Sequence, residues 1–168
     1  SVSVSNEPAL INKGGITYVT SATGFKLKGA DQGSLMKNIE YKINQADFQD
    51  YSTPIFFNRE GSYRLVYRSV DAVGNIEPNN ELGIIVDDTP PSINVRIEGP
   101  IQKNPDQTYL SGQSKLILEA EDSSVGLNQI YVSINEQGFK PYTGPIELTN
   151  VPPNLKVHYS ADDLLDNL

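Results

Sequence analysis

The chain has 168 residues with 13 basic against 21 acidic side chains, a net charge of -8 and an isoelectric point near 4.6. Such a surface repels phosphate backbones and anionic lipid, which excludes nucleic acid as an expected partner. The absence of cysteine excludes disulfides and thiolate metal sites, and 11 Pro with 13 Gly at 38% hydrophobic content suits many short elements joined by turns better than a helical bundle.

From the N-terminus, Ser1-Val2-Ser3-Val4-Ser5 lacks the basic head and apolar core of a signal peptide and does not begin with Met, so the chain reads as a piece of something longer. No run reaches the ~18 apolar residues of a membrane helix, so membrane insertion by this stretch is not expected. Large apolar side chains then fall on every second residue: Phe25/Leu27, Ile39/Tyr41/Ile43 and Tyr63/Leu65/Tyr67. That is the period of half-buried strands. Between them lie turn formers such as Asp31-Gln32-Gly33-Ser34, Gly61-Ser62 and Gly74-Asn75. Within Glu60-Gly61-Ser62-Tyr63-Arg64-Leu65, Tyr63 has the place of a tyrosine corner, a phenol at the start of a sandwich strand that bonds back to nearby backbone.

After Leu82-Gly83-Ile84-Ile85-Val86, a β-branched run fit for a closing strand, comes Asp87-Asp88-Thr89-Pro90-Pro91. Paired prolines fix φ, so Pro90 and Pro91 predict a stiff linker. Beyond it the pattern starts again. Thr17-Tyr18 returns as Thr108-Tyr109, Ile39 to Asn44 as Ile130 to Asn135, and Phe48, Tyr51, Pro54 and Ile55 as Phe139, Tyr142, Pro145 and Ile146, all 91 positions on. With one residue added, Tyr67, Asp71, Asn75 and Ile76 fall on Tyr159, Asp163, Asn167 and Leu168. The second copy repeats the alternation in Leu116/Leu118, Ile130/Val132/Ile134 and Leu155/Val157/Tyr159. It has no counterpart of the closing run, no glycine where the first has Gly74, and Leu155 in place of Tyr63.

The expected fold is therefore all-β: two tandem immunoglobulin-like β-sandwich domains, 1–88 and 89–168, of about seven strands each, the second lacking its last strand. Either the sequence given is cut short, or that strand comes from elsewhere and leaves an edge open to strand addition.

Chemistry is sparse. His158, the one histidine, alternates outward beside Val157 and Tyr159, and no phosphate loop, nucleophile elbow or paired-histidine motif is present. No enzyme activity and no resident cofactor are expected, with calcium as the one candidate ion. In an Ig-like sandwich the loops near Asp31 and Asp71 share an end, as do those near Glu121-Asp122 and Asp162-Asp163, where the linker enters. Asp87, Asp88, Glu121, Asp122 and Asp163 could then supply hard oxygen ligands for Ca²⁺. The competing reading has Asp71 and Asp163 bonding to backbone amides of their own turns. For a glycan the candidates are Tyr131, opposite in facing to Ile130 and Val132, with Phe48 and Phe139.

The run Phe48-x-x-Tyr51-x-x-Pro54-Ile55, Gly61-x-Tyr63 and Tyr67-Arg68-Ser69-Val70-Asp71-Ala72-Val73-Gly74-Asn75-Ile76-Glu77, with Tyr142-Thr143-Gly144-Pro145-Ile146 in the second copy, resembles the tandem bacterial Ig-like repeats of the OmpL-type surface and secreted protein family. The resemblance implies an extracellular or outer-surface location on a bacterium and a structural stalk. Its expected partners are neighbouring domains of the same longer chain. The alternative is an adhesin that binds a host surface protein or glycan through end loops or an exposed aromatic face.

Overall fold

A computed structural model of the chain describes residues 2–7, 11–29, 36–149, 152 and 154–168. Two compact units, Ser1–Asp88 and Thr89–Leu168, divide it. The described residues form strands, turns and irregular segments, and no helix is long and apolar enough to cross a membrane.

The first unit carries β1 (Val2–Glu7), β2 (Ile11–Lys13), β3 (Ile16–Val19), β4 (Gly24–Gly29), β5 (Met36–Ile43), β6 (Gln49–Asp50), β7 (Ile55–Phe56), β8 (Gly61–Asp71) and β9 (Asn80–Val86). They form a sheet β1-β4-β7 and a sheet β2-β3-β9-β8-β5-β6. The inward residues of both meet in one core: Val19, Phe25, Leu27, Ile39, Ile55, Phe57, Leu65, Ile84 and Val86, all buried. Phe25 and Phe57 meet edge to face with ring centroids 5.4 Å apart, a favoured geometry for the ring quadrupoles.

The second unit carries β10 (Ser92–Glu98), β11 (Ile101–Lys103), β12 (Thr108–Leu110), β13 (Lys115–Glu121), β14 (Leu127–Ile134), β15 (Lys140–Pro141), β16 (Ile146–Glu147) and β17 (Val157–Asp163). Its sheets are β10-β13-β16, β15-β14-β17 and the hairpin β11-β12, and its core is Leu116, Leu118, Ile130, Val132, Leu148 and Ala161. Nine and eight strands among the described residues exceed the seven expected. The excess lies in two-residue ladders such as β6, β7, β15 and β16, too short to show alternation in sequence.

The repeat is kept pair by pair. In β5–β8, Ile43 faces Leu65, Tyr41 faces Tyr67 and Ile39 faces Ser69, with a bulge between Met36 and Asn38. In β14–β17, Ile134 faces Val157, Val132 faces Tyr159 and Ile130 faces Ala161, with the bulge between Leu127 and Gln129. The partner ladders repeat too: Phe25 faces Ile55 as Leu116 faces Ile146. A one-residue slip would turn every buried side chain outward, so the same spacing of apolar residues enforces the same register twice.

Hairpin closure is likewise duplicated. Asn44 and Asn135 adopt φ of 56° and 49°, which asparagine tolerates better than most residues. Asn44 N–H donates to the Arg64 carbonyl at 2.8 Å and its Oδ1 accepts from Arg64 N–H at 2.9 Å. Asn135 does the same with Lys156 at 2.9 and 3.1 Å.

In the first unit β9 closes the larger sheet, antiparallel to β8 and parallel to β3. Among the described residues no strand takes that place in the second, and the six-stranded sheet is replaced by a three-stranded sheet and a separate hairpin. Tyr159 consequently departs from expectation. The alternation places it toward the core with Val157, but it is 45% exposed, whereas Tyr67 packs partly buried with Asn80 of β9 across from it.

Candidate functional site

The acidic residues at the ends of the ladders are turn staples. Asp71 Oδ1 accepts from the N–H groups of Val73 at 3.0 Å and Asn75 at 2.8 Å, and its Oδ2 accepts from Asn75 Nδ2 at 2.8 Å. Asp163 repeats this with Leu165 N–H at 2.7 Å, Asn167 N–H at 3.0 Å and Asn167 Nδ2 at 2.7 Å. The lack of a counterpart of Gly74 does not cost the second unit its turn. Gly74 has φ 92°, and Asp166 takes its place at φ 63°, the left-handed region that aspartate enters more readily than most residues. Asp122 is a third staple, its Oδ1 accepting from Ser124 N–H at 3.0 Å and Gly126 N–H at 2.6 Å.

The proposed calcium ligands are distributed as follows. Within the second unit, carboxylate oxygens of Asp122 and Asp163 lie within 4.8 Å of each other; Asp163 is fully buried, while Glu121 is exposed at the end of β13. In the first unit Asp87 is buried and its N–H donates to the Val19 carbonyl at 2.9 Å. Asp88 is exposed, accepts from Ser21 N–H at 2.8 Å and donates its own N–H to Glu60 at 2.8 Å. Asp31 lies outside the described residues. Asp122 and Asp163 each accept backbone N–H groups of their own turns, the local arrangement that competes with an ion for these oxygens. Millimolar calcium is therefore expected to leave the thermal midpoint of the chain unchanged, and a rise of several degrees reversed by chelator would establish an ion site.

The tyrosine corner is present in the first unit. Tyr63 donates its hydroxyl proton to the Arg59 carbonyl at 2.9 Å, with its ring against Phe57 at 4.7 Å between centroids, and Leu65 below it is fully buried. Tyr63→Phe keeps the ring and removes one hydrogen bond, so denaturant unfolding should show a loss of about 1 kcal/mol in the first unit. Leu155 offers no hydroxyl at the matching position, and another tyrosine works in the second unit instead. The Tyr142 hydroxyl accepts from Leu118 N–H at 3.2 Å, satisfying an edge amide of β13 beyond the short ladder with β16.

The outward faces of the two units differ. In the first, Glu40 and Arg68 form a part-buried pair at 2.8 Å across β5 and β8, and the Arg68 guanidinium lies 3.7 Å from the Phe48 ring centroid with Lys42 at 5.0 Å. Phe48 is thus covered by cations and does not offer the open platform suggested for a sugar. In the second, the same places hold Tyr131, Ser160 and Phe139; Tyr131 is half-buried, facing away from buried Ile130 and Val132, and Phe139 is 57% exposed. His158 is exposed on β17, as its alternation predicts.

Two carboxylates of the first unit are held below their usual range. The Glu77 carboxyl is pushed up by burial, but hydrogen bonds from Ser69 N–H (3.2 Å), Ser69 Oγ (3.0 Å) and Asn80 outweigh this and hold it below the usual range. Hydrogen bonding from Arg64 similarly lowers Glu81, with Arg64 Nε 3.0 Å from Glu81 Oε2.

A cleft of about 700 Å³ in the second unit has walls that include Val95, Ile97, Leu110, Leu116, Leu148 and Val157. Most of these are the counterparts of core residues of the first unit, where Val19, Phe25, Phe57 and Leu65 are closed over.

No family model and no curated protein matches the chain. Among solved structures, the fibronectin(III)-like modules of Clostridium thermocellum CbhA are similar at 13% identity and a TM-score of 0.42, over 98% of this chain and 87% of that one.

Proposed function

We propose that the chain is a non-catalytic pair of structural modules from a bacterial secreted or cell-surface protein of the Ig-like repeat type, a spacer that holds a functional or adhesive domain away from the cell. One observation carries this reading: the polar side chains at the turns serve the fold, and two kinds of them do so in the same way in both units. Asp71 and Asp163 staple their turns, Asn44 and Asn135 clamp their hairpins, and Asp122 fixes the loop after β13. Duplication of a scaffold without duplication of a cleft or a reactive cluster suits length and solubility, and the net negative charge suits the latter. Substituting an unrelated pair of β-sandwich domains of equal length for these units in the longer protein is expected to preserve its surface function. Loss of that function despite equal length would refute the spacer reading.

Exposed Phe139 and half-buried Tyr131, which faces away from the core of the second unit, support a second reading, an adhesin that takes a host protein or glycan there. A glycan array probed with the chain tests it: a hit abolished by Tyr131→Ala supports it, and the absence of any hit on the array counts against glycan recognition.

A further inference from the structure

Phe48 and Phe139 stand at matching places in the two units, and cations cover the first alone. The Arg68 guanidinium lies 3.7 Å from the Phe48 centroid and the Lys42 ammonium 5.0 Å from it, while Glu40 holds that guanidinium at 2.8 Å across the β5–β8 ladder. In the second unit these positions hold Ser160, Ser133 and Tyr131. Both cations are exchanged for serines, and no lysine or arginine among the described residues stacks on Phe139, which is 57% exposed. Lys140, next along the chain, pairs with Val132 and so takes the alternate position of the ladder.

The strands that carry the cover over Phe48 both have described counterparts. Tyr131 of β14 lies opposite Ser160 of β17 as Glu40 lies opposite Arg68, so the register at this place is unchanged and residue identity alone makes the difference. Charge changes with it. Asp162, two residues beyond Ser160 on the same outward face, stands where the first unit has Val70, its Oδ2 accepting from Asn128 Nδ2 at 3.3 Å. Across these positions the first unit sets two cations against one carboxylate, and the second has one carboxylate with no lysine or arginine. An open ring face beside a carboxylate, on a chain of net charge -8, attracts a cation from outside. Guanidinium suits it better than ammonium, because its plane stacks on the ring and its weaker hydration costs less to remove.

We propose that the outward face around Phe139 and Tyr131 binds an arginine side chain of a partner polypeptide, stacked on Phe139 as Arg68 stacks on Phe48. The inference rests on the second reading above, that a partner docks on this face, and names what that partner presents. A second copy of the chain is a poor donor, because Arg64, Arg68 and Arg96 are already bonded to Glu81, Glu40 and Glu98.

The test titrates two end-blocked peptides into the isotope-labelled full chain at low salt and follows its amide shifts. One is Gly-Gly-Arg-Gly-Gly; the other has citrulline for arginine, which keeps the planar end group and loses the charge. Saturable shifts centred on Tyr131, Phe139 and Ser160 are expected with the arginine peptide, at an affinity about threefold or more above that of the citrulline peptide. Ser160→Arg rebuilds the cover of the first unit and Phe139→Leu removes the ring, so each should weaken arginine binding by about threefold or more. Gln102→Arg, which adds the same charge on the β11–β12 hairpin, should leave it within about twofold. The proposal is overturned if no saturable shifts appear, if they centre elsewhere, if citrulline binds as well, if Gln102→Arg weakens binding as much as Ser160→Arg, or if the chain dimerises through this face. A glycan hit lost with Tyr131→Ala, without preference for arginine, would keep the adhesin reading and sink this inference; arginine binding with an empty glycan array would support it.

Discussion

Phe25→Ala is expected to destabilise the first unit by about 3–5 kcal/mol while leaving the unfolding of the second in place. Phe25 is fully buried on β4, opposite Ile55 and edge-on to Phe57. Truncation removes a ring's worth of burial and leaves a cavity in a core closed on every side by β9, β8 and β4, so little relaxation is available. The counterpart, Leu116→Ala, should cost less, toward the low end of about 2–5 kcal/mol. Leu116 already borders the open cleft, where neighbouring side chains can move and water can enter. Denaturant titration read by two probes, one in each unit, checks both the size of the effect and its confinement. Equal losses in both units would contradict the division of the chain into separate cores.

Asp163→Ala should cost the second unit about 3 kcal/mol, and Asp71→Ala the first unit about 1–2 kcal/mol. The two carboxylates make the same three hydrogen bonds, so the difference comes from burial. Asp163 is fully buried, and its removal strands the amides of Leu165 and Asn167 with little access to water. Asp71 is partly exposed, and water can replace much of what is lost. Asp163→Asn retains an acceptor for the backbone but places an amide in the same small site as Asn167 Nδ2, so its stability should fall between the wild type and the alanine variant. Equal costs at Asp71 and Asp163 would show that solvent, not the carboxylate, supports both turns.

These expectations divide according to what a linear sequence carries. Alternation in Phe25/Leu27 and Ile130/Val132 gave the strands directly, because a half-buried strand must repeat every two residues. The 91-residue spacing foretold equivalent ladders, because register follows from which residues must face the core. The corner at Tyr63 was legible since its geometry is local, a hydroxyl reaching four residues back. Side chains whose surroundings depend on another strand were not. Tyr159 has the period of a core residue but is exposed where no described strand lies alongside, and the bulges at Met36/Asn38 and Leu127/Gln129 arise from pairing, which composition does not encode. Phe48 looked like a free ring because Arg68 lies twenty positions away and is brought over it only by the β5–β8 ladder. Asp166 showed the opposite limit, with a residue other than glycine holding the left-handed position that Gly74 fills in the first copy.

The central claim is that both units are built on one ladder, kept pair for pair. Cross-strand Hα–Hα contacts in nuclear Overhauser spectra measure it most directly, since Tyr41–Tyr67 and Val132–Tyr159 are close non-hydrogen-bonded pairs in antiparallel sheet. The account predicts a strong contact for each, together with Ile43–Leu65 and Ile134–Val157; contacts displaced by one residue in either unit, or found in one unit alone, would contradict it.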